Sequence, residues 1–151
     1  MKINLGCGKR KLNGFLNCDN RKEVNPDLVC DVADGLPFED SSIEEVKAID
    51  FLEHIPLGKT IGVIEDIWRV LIPGGIFESF TPDAEYGQGA FQDPMHLSFW
   101  VENSWKYFSE AMSRELYDIK ANFRIAFLKR INDDSMGRIF HLHVLAIAIK
   151  G

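Results

Sequence analysis

Ile3-Asn4-Leu5-Gly6-Cys7-Gly8 is the stretch whose reading decides the fold. An apolar strand runs straight into two glycines one residue apart. Glycine lacks a Cβ, so the backbone there can turn sharply and approach a ligand closely. In open α/β sheets, ligands bind just outside the carboxyl ends of the strands. The stretch therefore predicts a strand and turn that carry a nucleotide-type cofactor site. Ordinary tight turns also contain a G-x-G pair, so the residues that follow carry the decision.

Those residues belong to a chain of 151, enough for one domain with a substantial core. The apolar fraction of 46% is that of a globular protein. A formal net charge of −6 argues against a broad nucleic-acid surface, which needs clustered Lys and Arg. Lys9-Arg10-Lys11 and Lys129-Arg130 are short, and read as solvated faces. Cys7, Cys18 and Cys30 match no zinc spacing and sit in or beside apolar stretches. Buried free thiols fit a reducing cytosol, so a cytoplasmic location is expected. No signal-peptide pattern precedes the first strand, and no apolar run is long enough for a membrane span.

Along the chain, short strands are expected at Lys2 to Leu5, Phe15 to Cys18, Leu28 to Cys30 and Val46 to Phe51. A helix follows from about Thr60 to Leu71, with Thr60 as N-cap and Ile61, Ile64, Trp68 and Leu71 on one core-facing side. Pro73-Gly74-Gly75 stops it. Ile76 to Thr81 reads as a fifth strand, and Asp83 to Phe99 as a long functional loop. Asn103 to Met112 reads as helix. Phe123 to Ile131 and Ile139 to Ile149 read as two strands joined by a turn at 132–137. Parallel strands early and an antiparallel hairpin late predict a mixed α/β sheet with few helices in its N-terminal half.

Two acids, Asp19 and Asp31, close consecutive strands after the glycine turn. An acid in the first of these positions can accept hydrogen bonds from ribose hydroxyls. The next could take a donor from an adenine amino group. The alternative is that both cap turns, where Asp is common.

Gly6-Cys7-Gly8, Leu36-Pro37-Phe38 with Asp40-Ser41-Ser42-Ile43, Leu52-Glu53-His54, and Arg69-Val70-Leu71-Ile72-Pro73-Gly74-Gly75, taken in this order, resemble class I S-adenosylmethionine-dependent methyltransferases. The resemblance runs from about Ile3 to Thr81. It implies a Rossmann-like, seven-stranded, mostly parallel sheet whose last strand is antiparallel. It implies that Leu5, Gly6, Cys7 and Gly8 line the methionine moiety, and that Asp19 and Asn20 hold the ribose. By the same resemblance, Asp31 and Val32 edge the adenine, and Asp50, Phe51 and His54 lie beneath the methionine and its methyl group.

The chain also departs from that family. Asn4 stands where an acid is usual, and Arg10 where a third glycine is common. Only Lys9 to Gly14 separates the first two strands, too short for an ordinary helix. A more open pocket is expected, with Lys9 or Arg10 available to pair with the cofactor's carboxylate. The same gap disfavours a nicotinamide dinucleotide, whose pyrophosphate needs a helix N-terminus directly after the glycines.

Transfer of a sulfonium methyl group leaves the protein to bind, orient and exclude competitors. A hydroxyl acceptor would use a base, and His96 in Asp93-Pro94-Met95-His96 is the candidate, with Asp93 to orient it. The alternative is a histidine that packs the loop. Asp83, Tyr86, Asp93, His96 and Trp100 are the expected acceptor contacts. Trp68 is assigned to the core. His141 and His143 share a strand face but lack a visible third ligand, so no metal site is expected. The acceptor class that fits is a small molecule, a sugar or a lipid-linked group, with no nucleic acid. A homo-oligomer could complete the acceptor site. The competing expectation is a cofactor-binding subunit without turnover that assists a partner.

Overall fold

The computed structural model describes residues 1–132 and 136–151. Strands β1 (Lys2–Leu5), β2 (Leu16–Asp19), β3 (Leu28–Val29), β4 (Ile43–Ile49), β5 (Leu71–Gly87), β6 (Phe123–Asn132) and β7 (Ile139–Ala148) form one sheet. Its order is β3-β2-β1-β4-β5-β7-β6. The first five strands pair in parallel, and β7 runs antiparallel to both β5 and β6. The expected mixed sheet with its closing hairpin is therefore present. Of the expected hairpin turn, Asp133, Asp134 and Ser135 lie outside the described residues.

The helix α1 spans Leu57–Val70, one turn earlier than its sequence pattern suggests. Thr60 is no cap; its hydroxyl donates to the Pro56 carbonyl at 3.1 Å. The buried face is Val63, Ile64, Ile67 and Val70. Ile61 is therefore left exposed, and Trp68 sits half-buried at the flank, where its Nε1 donates to the Ile149 carbonyl at 3.1 Å. Leu71 is already the first residue of β5.

Strand β5 also outruns its expected limits at both ends. Pro73-Gly74-Gly75 is absorbed as an irregularity where the register against β4 shifts. A Cβ on Gly75 would come within 2.9 Å of the Ile72 carbonyl oxygen and 3.2 Å of that of Glu44, so close backbone approach requires glycine here. At the far end, pairing with β7 extends the strand to Gly87, and α2 (Gly89–Gln92) follows. The expected long loop is thus partly structured. The expected helix over Asn103 to Met112 divides into a 3₁₀ segment, Glu102–Phe108, and α3 (Ala111–Glu115). Trp105 and Phe108, three apart, lie on one side of a three-residue turn and are both buried.

The core lies on one face of the sheet, where Ile3, Leu5, Val46, Phe77 and Val144 meet the buried side of α1 and the Trp100–Trp105–Phe108 cluster. The other face of β1, β4, β5 and β7 carries cross-strand charge pairs. Lys2 meets Glu45 at 2.6 Å, Lys47 meets Glu78 at 2.7 Å, and His143 meets Glu78 at 2.8 Å.

Arg69 ties the Leu-Pro-Phe loop to α1. Its guanidinium donates to the Phe38 carbonyl (2.9 Å), the Leu36 carbonyl (3.1 Å), Asp40 (2.7 Å) and Asp66 (2.6 Å). Asp66 in turn accepts from the Leu36 amide at 2.5 Å. This physical link explains why the loop motif and the helix-end motif occur together.

Candidate functional site

At the end of β1 the chain turns through Gly6 (φ +61°) and Gly8 (φ +48°), both in the left-handed region that glycine enters without strain. A Cβ on Gly6 would fall 2.1 Å from Cδ2 of Phe51, so the bare backbone and the ring fit each other. Gly8 donates its amide to Asp19 at 2.8 Å. The other Asp19 oxygen accepts from the Arg21 amide (2.9 Å) and from Arg21 Nε (3.1 Å). Burial raises the Asp19 pKa, but the Arg21 side chain and the Arg21 and Gly8 amides outweigh it and hold the carboxyl below its ordinary range. Asp19 is thus an ionised group, 5% exposed, that fixes the glycine turn.

Asn4, in the place usual for an acid, anchors this region from below. Its amide donates to Asn17 Oδ1 and to the Arg10 carbonyl, both at 3.0 Å. Asn17 Oδ1 also accepts from the Leu12 amide at 2.8 Å. Paired amides replace a helix in shaping the short segment between β1 and β2.

A cleft of about 580 Å³ opens along this rim. Of the expected cofactor contacts, Gly6, Asp19, Asn20, Asp31, Val32, Asp50, Phe51 and His54 line it. Leu5 and Cys7 do not; both are buried in the packing behind the turn. Gly8 is also absent from the lining, its amide spent on Asp19. Asp31 satisfies both of its sequence readings: it borders the cleft, and it caps the 3₁₀ turn Val32–Asp34 by accepting from the Ala33 amide at 3.0 Å.

Asp50 closes β4 with φ +51°, a strained value for a non-glycine residue. Its carboxylate meets His141 Nε2 at 2.9 Å and Arg10 Nη1 at 2.9 Å. The His141 hydrogen bond, with help from Arg10, overcomes burial and keeps Asp50 below the usual carboxylate range. Arg10, expected as a partner for a cofactor carboxylate, is therefore paired within the protein.

A second cleft, of about 600 Å³, adjoins the first. Asp50, His54 and Asp93 border both. His96, Glu53 and His141 line the second. Of the expected acceptor contacts, Asp93 and His96 are here, whereas Asp83, Tyr86 and Trp100 are not. Asp83 is fully buried and ion-paired with Arg130, whose guanidinium lies 3.8 Å from the centre of the Tyr86 ring. Trp100 belongs to the core, 5.3 Å from Trp105 between ring centroids. In this structure Asp83 and Tyr86 serve an ion pair and its flanking ring, and Trp100 an aromatic cluster, rather than the second cleft.

The His96 ring is oriented by the Ala90 carbonyl, 2.8 Å from Nδ1. Asp93 faces the other ring nitrogen more loosely, its Oδ2 3.7 Å from Nε2, while its Oδ1 accepts from the Met95 amide at 2.8 Å. With Nδ1–H donating to the carbonyl, the neutral ring presents Nε2 as an acceptor. The loop is fixed to the segment before α1: the Leu97 and Ser98 amides donate to the Glu53 carbonyl at 2.7 and 3.0 Å. Glu53 and His141 line this cleft without having been read as site residues from the sequence. Glu53 stood in view in Leu52-Glu53-His54, and only its burial marks it.

Residues 5–78 match the family model described as a methyltransferase domain. Over these residues, just under half of the chain, the protein is similar to the methyltransferase domain of S-adenosylmethionine-dependent enzymes. No curated protein sequence matches the chain. Solved structures share its fold at low identity. A chain from the complex of the Haloferax volcanii Trm112 methyltransferase activator with a candidate methyltransferase has a TM-score of 0.71 and 15% identity, over 99% of this chain and 82% of that one. An S-adenosylmethionine-dependent methyltransferase from Methanosarcina mazei gives 0.69 and 17%, over 99% and 92%. One from Archaeoglobus fulgidus gives 0.70 and 13%, over 97% and 85%.

The cofactor of this methyltransferase family is S-adenosylmethionine. The donor set of the first cleft fits it. An ionised, pre-oriented carboxylate at Asp19 suits a diol, and the acids Asp31 and Asp50 suit amino and cationic groups. No described helix is long and apolar enough to cross a membrane.

Proposed function

We propose that this chain transfers a methyl group from S-adenosylmethionine to a small-molecule, sugar or lipid-linked acceptor bound in the second cleft. The observation that carries the reading is the adjacency of the two clefts, with Asp50, His54 and Asp93 forming their common border. Asp19 and Asn20 would hold the ribose, Asp31 and Val32 the adenine edge, and Gly6, Asp50, Phe51 and His54 the methionine end. The cofactor supplies an activated methyl on a sulfonium. The protein's own contribution would be to orient the acceptor and to take its proton at His96 Nε2, a reading supported by the second cleft reaching His96 and by the carbonyl on its Nδ1. The net charge of −6 favours such acceptors over nucleic acid.

Thermal melting tests the cofactor half. S-adenosylmethionine and S-adenosylhomocysteine should each raise the melting temperature, while NAD and ATP should not. Asp19→Asn removes the charge that receives hydrogen bonds, and should weaken either ligand by about 10- to 100-fold. A rise with NAD alone would remove the reading. The catalytic half is tested by labelled-methyl transfer over an acceptor panel. His96→Asn should lower turnover by about 10²- to 10⁴-fold while keeping the melting rise. Unchanged turnover would exclude His96 as the base.

A second reading is a cofactor-binding subunit that assists a partner without turnover. It is favoured by the Haloferax volcanii chain, which was solved in a complex that includes a methyltransferase activator. Cofactor binding without methyl transfer by the isolated chain, and transfer restored by a co-purifying protein, would establish this reading over the first.

A further inference from the structure

Glu53 is 2% exposed, and its Oε2 has no hydrogen-bond partner. An unpartnered buried acid oxygen is costly when ionised, and burial pushes the Glu53 carboxyl up to about 8, so an ion that binds there must displace its proton. Its neighbours in the second cleft are two imidazoles. One ligand atom each from Glu53, His54 and His96 lies within 4.8 Å of the others. The His54 and His96 rings meet edge to face, 5.0 Å between centroids.

Both histidines are tied in the same way. Nδ1 of His54 lies 3.2 Å from the Met95 carbonyl, and Nδ1 of His96 lies 2.8 Å from the Ala90 carbonyl. Histidines that bind metals usually donate their other ring N–H to a carbonyl or carboxylate, which fixes the tautomer and leaves the ligating nitrogen unprotonated. Each ring here has such a carbonyl, so each can present Nε2 with its lone pair.

We propose that Glu53, His54 and His96 form a binding site for a divalent first-row transition-metal ion at the floor of the second cleft. Two imidazoles and one carboxylate are a donor set for ions such as zinc or cobalt rather than for calcium or magnesium, which take all-oxygen shells. Ligands about 2.0–2.1 Å from a common ion lie at most about 4.2 Å apart. The three ligand atoms now lie within 4.8 Å of one another, so binding an ion would draw them somewhat closer together. Three protein ligands leave open positions facing the cleft, where an acceptor oxygen or water can bind. The ion and the acceptor's proton compete for the same His96 lone pair, so the loaded site and the free base are alternative states of one residue. The site does not depend on the methyl-transfer reading, because ion binding requires no cofactor.

The test uses the full chain freed of metal by a chelator. Cobalt(II) is titrated and followed by its visible absorption, and zinc(II) by calorimetry. One equivalent should bind saturably in the micromolar range or tighter, with cobalt bands showing nitrogen and oxygen ligation at low coordination number. Glu53→Gln keeps the shape of the side chain, and His96→Asn keeps a polar group. Each should weaken binding by about 100-fold or more, beyond the roughly 10- to 100-fold typical of groups that only support a ligand. Circular dichroism confirms that both variants are folded. Failure of the wild-type chain to bind either ion below millimolar concentration would overturn the site. So would unchanged affinity in either folded variant. Failure of S-adenosylhomocysteine to raise the melting temperature would count against the methyltransferase reading and leave this site standing.

Discussion

Gly6→Ala should abolish the melting rise produced by S-adenosylmethionine and S-adenosylhomocysteine, and should lower the melting temperature of the free protein as well. The added methyl has two separate costs. It places a Cβ in the left-handed region at φ +61°, a strain of about 1–2 kcal/mol. It also lies 2.1, 2.8 and 2.9 Å from three atoms of the Phe51 ring, distances at which something has to move. A ring met by one methyl at three of its atoms cannot yield by a small rotation and must leave its rotamer. Phe51 lines the first cleft, so the displaced ring takes up space meant for ligand. The check is a melting series with and without S-adenosylhomocysteine. A variant that retains the full ligand-induced rise would show that Gly6 and Phe51 do not shape the cofactor site.

Arg130→Met should destabilise the protein by about 3–5 kcal/mol, the usual cost of stripping one partner from a buried ion pair. Asp83 is fully buried, and the Arg130 guanidinium donates to it. The same guanidinium reaches Glu102 at 3.2 Å and Glu85 at 3.4 Å, and it covers Tyr86. Without Arg130 the buried carboxylate keeps only the Glu85 amide, at 2.9 Å. Because the penalty comes from the stranded charge, Asp83→Asn combined with Arg130→Met should recover part of the loss. Urea unfolding of the single and double variants measures this. A single-variant loss under about 1 kcal/mol would mean that Asp83 finds compensation elsewhere.

The contrast between Gly6 and Asp83 shows which parts of this protein can be read from its residues. The rim of the first cleft was legible because its groups sit where strands end: Gly6 after β1, Asp19 closing β2, Asp31 just past β3. Those positions are set by local pattern, and the parallel sheet then aligns them without further information. Asp83 also closes an apparent strand. Its partner, Arg130, lies 47 residues away on the hairpin. No local pattern distinguishes an acid facing a cleft from one facing a distant guanidinium.

The same limit explains the errors in the elements. Thr60 has the chemistry of a helix cap, but α1 had already begun at Leu57 and the hydroxyl back-bonds to Pro56. Pro73-Gly74-Gly75 reads as a full stop in sequence, yet β4 on one side holds it within the sheet. Arg69 could be seen as part of a motif, but not as the clasp on Leu36 and Phe38. In the second cleft, His96 was legible as a histidine in a structured loop. The carbonyl of Ala90 that orients it, and the burial that makes Glu53 matter, arise only from tertiary packing.

Asp50, His54 and Asp93 form a party wall between two chambers. Whatever leans on it from one side alters the room on the other. Donor and acceptor occupancy should therefore be thermodynamically linked, each changing the grip on its neighbour by an equal factor.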